Sequence, residues 1–212
     1  MDNSTQKPSK FYSVLRILAI PIFKALYFFN CNGKSNVPEY GKCIICANHT
    51  SLKDPLFLAL SIKRQIFFMG KSELFKNKLF SKIILKLGAF PVSRGKHDVK
   101  SILNTEALLQ SQKAVGIFIE GTRSKNGKLL KPKSGAAMIA YKTNTPIIPI
   151  GISQKNGKIP SIFHKVTINV GSPLTPQELG MLNGTSLEYR NASRKIMDEI
   201  KKLIEKNTGK EA

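Results

Sequence analysis

The chain has 212 residues, of which 42% are hydrophobic, and 34 Lys and Arg against 13 Asp and Glu give a formal net charge of +21. This length suits one α/β domain with a proper core, and the apolar content excludes a disordered chain. The charge predicts an anionic partner, for which nucleic acid, an anionic membrane surface and phosphorylated small molecules are the candidates.

The first long apolar segment covers residues 11–29 and has nearly the length of a membrane span. Arg16 and Lys24 make a spanning position costly, and Pro21 interrupts the pattern. A helix lying in the membrane interface suits the segment better, with its apolar side chains in the acyl boundary and both cations among the headgroups. The competing interpretation is a helix docked on the rest of the protein, and the two are compatible.

From residue 36 onward, apolar strand candidates alternate with helical patterns, which indicates an α/β sheet. We therefore expect a mixed, largely parallel sheet flanked by helices in residues 36–212, preceded by a membrane-associating helical segment in residues 1–35. The strands are predicted at residues 43–47, 66–69, 89–92, 115–120, 147–152 and 166–170, and the helices at 56–62, 72–87, 98–110, 134–143 and 186–207.

Two sequence details qualify this layout. The prolines in residues 146–152 predict that this strand lies at an edge of the sheet or has them in its first residues. Three cysteines are too few for a disulfide framework and favour a reducing compartment. Cys43 and Cys46, three apart in a strand, should point to opposite faces, so we interpret them as core residues and expect no metal site.

The motif NHTSLKDP, residues 48–55, follows the first predicted strand and places His49 five residues ahead of Asp54. A neutral imidazole can take a proton near pH 7, and a carboxylate on its other nitrogen fixes the tautomer. Within one helix the two side chains would not meet, so the pair requires a turn between strand and helix. The alternative is that Asp54 only caps the helix that begins near Pro55.

A second polar cluster, Glu120-Gly121-Thr122-Arg123, follows the strand predicted at residues 115–120. The carboxyl ends of strands are where α/β sheets place ligands. An arginine there suits a phosphate, and a glycine lets the backbone approach closely. The alternative is a loop held by a salt bridge between Glu120 and Arg123. Arg94, beside a glycine after residues 89–92, repeats the pattern.

In this order, the blocks NHTSLKD, FPVSRG, FIEGTRS and PIIPIGI resemble those of the glycerolipid acyltransferase family, most closely its bacterial 1-acylglycerol-3-phosphate O-acyltransferases. The resemblance spans about residues 33–171. Two features depart from the family: Ile119 stands where a proline usually precedes the glutamate, and the N-terminal segment is short beside those of members with clear transmembrane helices.

The resemblance implies transfer of a fatty acyl group from acyl-CoA or acyl carrier protein to the sn-2 hydroxyl of 1-acylglycerol 3-phosphate, forming phosphatidic acid. His49 would be the general base, Asp54 would orient it, and Gly121 or residues near His49 would supply backbone N–H groups for the oxyanion. The residues expected to contact substrate are Lys71, Arg94, Glu120, Gly121, Thr122 and Arg123.

The expected partners are therefore a lysophospholipid, the thioester co-substrate and an anionic membrane surface, without nucleic acid, metal or further cofactor. The expected location is the cytoplasmic face of the cell membrane, peripheral or monotopic. Two alternatives stay open at this point. One is an acyltransferase acting on another lyso-lipid or on glycerol 3-phosphate, and the other is a basic membrane- or nucleic-acid-binding module without enzymatic activity.

Overall fold

A computed structural model describes residues 8–92, 99–154 and 159–206. Its sheet has seven strands in the order β1-β7-β6-β2-β5-β3-β4. The strands are β1 (Asn30–Asn32), β2 (Cys43–Ala47), β3 (Ile66–Lys71), β4 (Ala89–Val92), β5 (Ala114–Phe118), β6 (Ile147–Gln154) and β7 (Val166–Val170). The α-helices are α1 (Lys10–Tyr27), α2 (Asp54–Ser61), α3 (Lys78–Lys86), α4 (Val99–Gln110), α5 (Gly135–Thr143) and α6 (Ser186–Glu205).

The sheet is mixed and largely parallel, as predicted, since every neighbouring pair except β6 and β7 runs parallel. Strand β2 lies in the interior of the sheet, and all of its residues are buried. Because β2, β5, β3 and β4 are parallel neighbours, the segments that follow them leave the sheet at the carboxyl ends of the strands, on the same side. The two polar clusters singled out in the sequence therefore lie together at this end of the sheet.

A hydrophobic core lies on each face of the sheet. One contains Ile45 and Phe57 together with residues of α1 and α2, and the other contains Ile44 and residues of α4, α5 and α6. Cys43 belongs to the first core and Cys46 to the second, which confirms that they point to opposite faces. Burial raises the pKa of Cys43 to about 11 and that of Cys46 to about 12, so both thiols stay protonated at neutral pH.

Helix α1 docks on the C-terminal end of α2. The Tyr12 hydroxyl donates to the Ala59 carbonyl at 3.1 Å, and the Arg16 guanidinium donates to the carbonyls of Ala59 and Leu60 at 3.1 and 2.9 Å. These are terminal helix carbonyls that lack partners within α2. The expectation that Arg16 lies among lipid headgroups is therefore wrong, whereas Lys24 is exposed. No helix in the described ranges is both long enough and apolar enough to cross a bilayer.

The elements differ from the sequence expectations in three places. Residues 72–87 do not form one helix, because the Asn77 side chain accepts from the N–H of Phe80 and starts α3 anew. Strand β1 was not predicted, since its polar residues give no apolar pattern. Strand β6 lies between β7 and β2, so the edge position is wrong, whereas Pro149 is the third of its eight residues, in agreement with the other alternative. The Pro149 carbonyl accepts from the Gly171 N–H at 2.8 Å, and β7 ends at Val170, the residue before Gly171, where Pro149 has no N–H to return.

Candidate active site

The site is built on the loop that joins β2 to α2. His49 Nδ1 lies 2.9 Å from Asp54 Oδ2, and the same oxygen accepts from the backbone N–H groups of Thr50 and Ser51, each at 2.7 Å. Asp54 is fully buried, and these three donors replace the water that Oδ2 has lost, while Oδ1 is buried without a hydrogen-bond partner among the described residues. The turn required by the sequence spacing is therefore present, and it brings the two side chains together.

Asp54 does not act as the cap of α2. It is the first residue of the helix, the N-cap position is held by Lys53, and the carboxylate turns back into the loop. The Ser51 hydroxyl accepts from the Lys53 N–H at 3.2 Å, which is a loop-ordering role. The capping interpretation of Asp54 is therefore wrong.

Asn48 fixes the start of the loop, a role that the sequence analysis missed. Its side-chain amide donates to the Ile152 carbonyl at 2.9 Å and its side-chain oxygen accepts from the Ile152 N–H at 2.8 Å. The side chain thus continues the pairing of β2 with β6 by one position, in place of backbone. The sequence signal was an asparagine at the end of an apolar strand, but its partner lies 104 residues away.

The loop after β5 holds the backbone of His49 from both sides. Glu120 Oε1 accepts from the His49 N–H at 2.9 Å, and the His49 carbonyl accepts from the Ser124 N–H at 2.8 Å. Glu120 Oε2 accepts from the Leu130 N–H at 2.9 Å. Glu120 therefore orders the site through backbone groups. Among the described ion pairs none joins it to Arg123, so the salt-bridge interpretation is wrong.

The expected oxyanion donors are already engaged in other hydrogen bonds. The Gly121 N–H donates to the Phe118 carbonyl at 3.0 Å, in a turn where Gly121 has a φ of 68°, a left-handed conformation that favours glycine. The N–H groups of His49, Thr50 and Ser51 are bonded to carboxylates. These amides are therefore engaged within the protein in this geometry, and their role as oxyanion donors stays a prediction.

The predicted cationic contacts differ in their surroundings. Arg123 is exposed, as are Gly121 and Thr122, and within the described residues its guanidinium has no hydrogen-bond or ion-pair partner. Lys71 ends β3 and forms an exposed ion pair with Glu73 at 2.8 Å, which lowers the pKa of that carboxyl to about 2. Arg94 lies outside the described residues. Their roles as substrate contacts stay predictions.

One face of the His49 imidazole packs against a stack of two aromatic rings. It stacks on Phe118 with ring centroids 4.0 Å apart and an interplanar angle of 15°, and Phe118 stacks in turn on Phe68 at 6.0 Å and 16°. Gly116 makes room for the lowest ring, because a Cβ at this position would lie 2.1 Å from the Phe68 ring. The aromatic face covers one side of the imidazole, while 12% of the His49 side chain is exposed.

Other candidate sites among the described residues are poor. A hollow of about 370 Å³ lies between α3, α4 and the start of β4, on the sheet face opposite the Phe68 side chain and at the other end of the strands. Within the described ranges, no three His, Cys, Asp or Glu side chains lie together in a way that would hold a metal ion. The chemistry-bearing groups are concentrated around His49.

Comparison with known proteins matches residues 28–153 of this chain to the family model described as acyltransferase. The 1-acyl-sn-glycerol-3-phosphate acyltransferase of Bacillus subtilis is 34% identical over 143 residues, which cover 66% of this chain and 71% of that protein. The protein with the same description from Streptococcus pneumoniae is 28% identical over 207 residues, 92% of this chain and 74% of its own. The chain belongs to the acyltransferase family.

The fold agrees with this membership. The crystal structure of the 1-acyl-sn-glycerophosphate (LPA) acyltransferase from Thermotoga maritima superposes with a TM-score of 0.73 at 24% identity, over 96% of this chain and 80% of that one. The protein is therefore an acyltransferase, as the four sequence blocks predicted, and the interpretation as a binding module without enzymatic activity is wrong.

Glu120 gives the acyltransferase a pH-dependent contribution to stability. Burial raises the pKa of Glu120, and its two backbone hydrogen bonds oppose that rise only in part. Between the ordinary and the raised pKa the folded protein holds a proton that the unfolded chain has released, so stability falls as pH rises through this range. In Glu120→Gln the free energy of unfolding should therefore depend less on pH in this range, which urea unfolding at a series of pH values measures.

The same substitution should lower the free energy of unfolding at acidic pH by about 1–3 kcal/mol, because an amide NH₂ then faces one of the two backbone N–H groups. Glu39→Gln, at an exposed carboxylate, is the matched control and should change neither quantity. An unchanged pH slope in Glu120→Gln would show that Glu120 does not carry this titration.

The aromatic support of His49 predicts a selective effect on turnover. The face of Phe118 stabilises the imidazolium that forms when His49 takes a proton, and Phe118→Leu removes this contact while keeping an apolar side chain. We expect kcat to fall roughly 3- to 30-fold, with KM changed less than about twofold. Phe118→Tyr retains the ring and should retain most of kcat. An equal fall in kcat in the two variants, or a change confined to KM, would contradict this role.

Proposed function

We propose that this acyltransferase moves a fatty acyl group from acyl-CoA or acyl carrier protein to the sn-2 hydroxyl of 1-acylglycerol 3-phosphate. The observation that carries the proposal is the 2.9 Å contact between His49 Nδ1 and the buried Asp54 carboxylate. A carboxylate can only accept at this contact, so Nδ1 carries the hydrogen and Nε2 keeps its lone pair. The hydrogen bonds of His49 among the described residues use its backbone and Nδ1, so Nε2 has no partner there.

Proton transfer begins at Nε2. The imidazole takes the proton of the acceptor hydroxyl as its oxygen attacks the thioester carbonyl carbon, and the carbonyl oxygen becomes the oxyanion of a tetrahedral intermediate. Asp54 stabilises the imidazolium that results, and the Phe118 face lies 4.0 Å from the ring. A positioned base of this kind contributes about 10²- to 10⁴-fold to the rate.

The intermediate collapses by breaking the carbon–sulfur bond. The acyl group stays on the acceptor oxygen as an ester, the thiolate of the carrier leaves, and the imidazolium returns its proton to that sulfur. His49 is then neutral again, so one residue serves as base and acid in a single turnover. The Ser51 hydroxyl already accepts from the Lys53 N–H, so this scheme assigns it no acyl-enzyme role.

A phosphate on the acceptor suits the cations at this edge of the sheet. Arg123 belongs to the loop that holds the His49 backbone, and its guanidinium is exposed without a protein partner in the described part of the chain. A guanidinium binds phosphate oxygens in a bidentate manner. The names of the Bacillus and Streptococcus relatives specify a phosphate-bearing acceptor, which supports the same assignment.

A membrane-resident acceptor implies a location at the lipid surface, and we assign the protein to the cytoplasmic face of the cell membrane as a peripheral or monotopic enzyme. The outward stripe of α1, which we define as Val14, Ile17, Leu18, Pro21 and Ile22, supports this, since all of it is exposed and apolar. It covers roughly 140° of the helix surface. Docking on α2 and contact with lipid are thus compatible, because they use different sides of α1.

Transfer of labelled acyl groups to a panel of acceptors tests this function. With acyl-CoA and acyl carrier protein as alternative donors, 1-acylglycerol 3-phosphate should outperform lysophosphatidylglycerol, glycerol 3-phosphate and an uncharged monoacylglycerol. His49→Ala should abolish transfer while far-UV circular dichroism is unchanged. Arg123→Gln should raise KM for the phosphate-bearing acceptor roughly 10- to 100-fold, and its effect on the uncharged acceptor should be small.

Lys125→Gln removes another exposed cation from the same loop and serves as the matched control. Equal rises in KM for Arg123→Gln and Lys125→Gln would mean that only the general positive charge matters. A preference for lysophosphatidylglycerol or glycerol 3-phosphate would replace the proposed acceptor. Residual transfer above one per cent in His49→Ala would contradict the role of the base.

A further inference from the structure

Helix α3 is largely exposed, with seven of its nine residues exposed and two, Ser81 and Ile84, half-buried. None of its residues is buried, and its apolar face, which we define as Leu79, Phe80 and Ile83, is open to solvent, with Leu79 73% exposed. A helix of nine residues is marginal in water and depends on packing for its stability. The three side chains of the apolar face lie on one side of the helix. The face therefore has the character of a contact surface.

The charge beside this face identifies its partner. Lys78, Lys82 and Lys86 follow one another at intervals of four residues, so they form a row along one side of α3, next to the apolar face. A short helix with an apolar face and a row of lysines is typical of elements that lie in the interface of an anionic bilayer. Lysines near such a surface are attracted to its anionic headgroups.

Helix α3 lies against the N-terminal end of α1. Lys86 Nζ is 5.1 Å from the centroid of the Phe11 ring, and Gln65 bridges the two helices, accepting from the Ser9 N–H at 3.2 Å and donating to the Lys86 carbonyl at 3.2 Å. The C-terminal end of α3 thus lies beside the N-terminal end of α1, the helix that carries the outward stripe. An interfacial position of α1 would therefore bring α3 close to the same lipid surface.

A further apolar group lies at the C-terminal end of α1. Phe28 and Phe163 are 55% and 71% exposed, and both have left-handed backbone, with φ of 42° and 62°. The Phe163 N–H donates to the Leu26 carbonyl at 2.6 Å, which fixes it beside the helix. Bulky residues rarely adopt this conformation, and here it holds two aromatic side chains away from the core. Such side chains suit insertion between lipid acyl chains.

This end of α1 adjoins the catalytic loop. Lys53, next to the exposed Leu52, has its Nζ 5.3 Å from the centroid of the Tyr27 ring. We propose that the apolar face of α3, the outward stripe of α1 and the pair Phe28 and Phe163 form one surface that docks on an anionic lipid bilayer. The inference rests on the proposed membrane-resident acceptor, and it adds α3 and Phe163 as lipid contacts that set the orientation of the site.

Flotation of the full-length protein with vesicles tests this surface. The wild type should float with phosphatidylglycerol-containing vesicles and bind pure phosphatidylcholine vesicles at least tenfold more weakly. The double variant Leu79→Ser/Ile83→Ser and the single variant Phe163→Ser should each raise the apparent dissociation constant for anionic vesicles about tenfold or more. The matched control is Leu182→Ser/Leu187→Ser, two exposed leucines in α6 and just before it. Because α6 lies on the sheet face opposite α1, this variant should bind as the wild type does.

Wild-type binding by both test variants, or an equal loss in the control, would overturn the proposal. Dimerisation of the wild type without lipid, lost in Leu79→Ser/Ile83→Ser, would instead assign the face of α3 to a second copy of the chain. A second assay distinguishes failure of this surface from failure of the proposed function. It measures turnover with a short-chain acceptor below its micellar concentration, where the test variants should match the wild type. Absence of turnover in the wild type with intact vesicle binding would overturn the proposed function and leave the surface standing.

Discussion

One buried oxygen determines the shape of the candidate active site. Asp54 Oδ2 accepts from the ring of His49 and from the backbone N–H groups of Thr50 and Ser51, so the loop between β2 and α2 closes on the carboxylate. A charge with no exposure is tolerated only when donors replace its water. The same hydrogen bonds that satisfy Oδ2 therefore orient His49, and the folding of the loop and its chemistry have a common cause.

The sheet topology supplies the rest of the arrangement. Strands β2 and β5 are adjacent and parallel, so the loops that follow them leave the sheet side by side. Glu120 and Ser124, on the second loop, hold the two backbone groups of His49, and Asn48 ties the first loop to β6. The base is thus fixed through its ring and its main chain, which is the kind of preorganisation that catalysis requires.

Local patterns in the sequence were sufficient to predict most of the sheet and the pairing of His49 with Asp54. Periodicity located six of the seven strands and the parallel character of the sheet, and the spacing of His49 and Asp54 required the turn that is observed. What sequence reasoning missed depends on partners far apart in the chain. Asn48 meets Ile152, and Arg16 meets the end of α2, because the fold places them there. Short-range spacing carries no information about such pairs.

The salt-bridge alternative for Glu120 failed for the same reason. Its nearest candidate partner in sequence was Arg123, but a fully buried carboxylate gains more from backbone N–H groups brought to it by the sheet. The exposed guanidinium is thereby left available for an anionic substrate. Charge alone was also a poor guide to location, since Arg16 and the buried Arg64 bind carbonyl groups within the fold.

The tautomer of His49 is the most direct test of this account. The chain has three histidines, so ¹⁵N-labelled histidine spectra of the wild type and of His49→Ala assign the ring by difference. At a pH where the ring is neutral, the account predicts a protonated Nδ1 and a bare Nε2, fixed by Asp54. A protonated Nε2, or the mixture of tautomers typical of free imidazole, would contradict it.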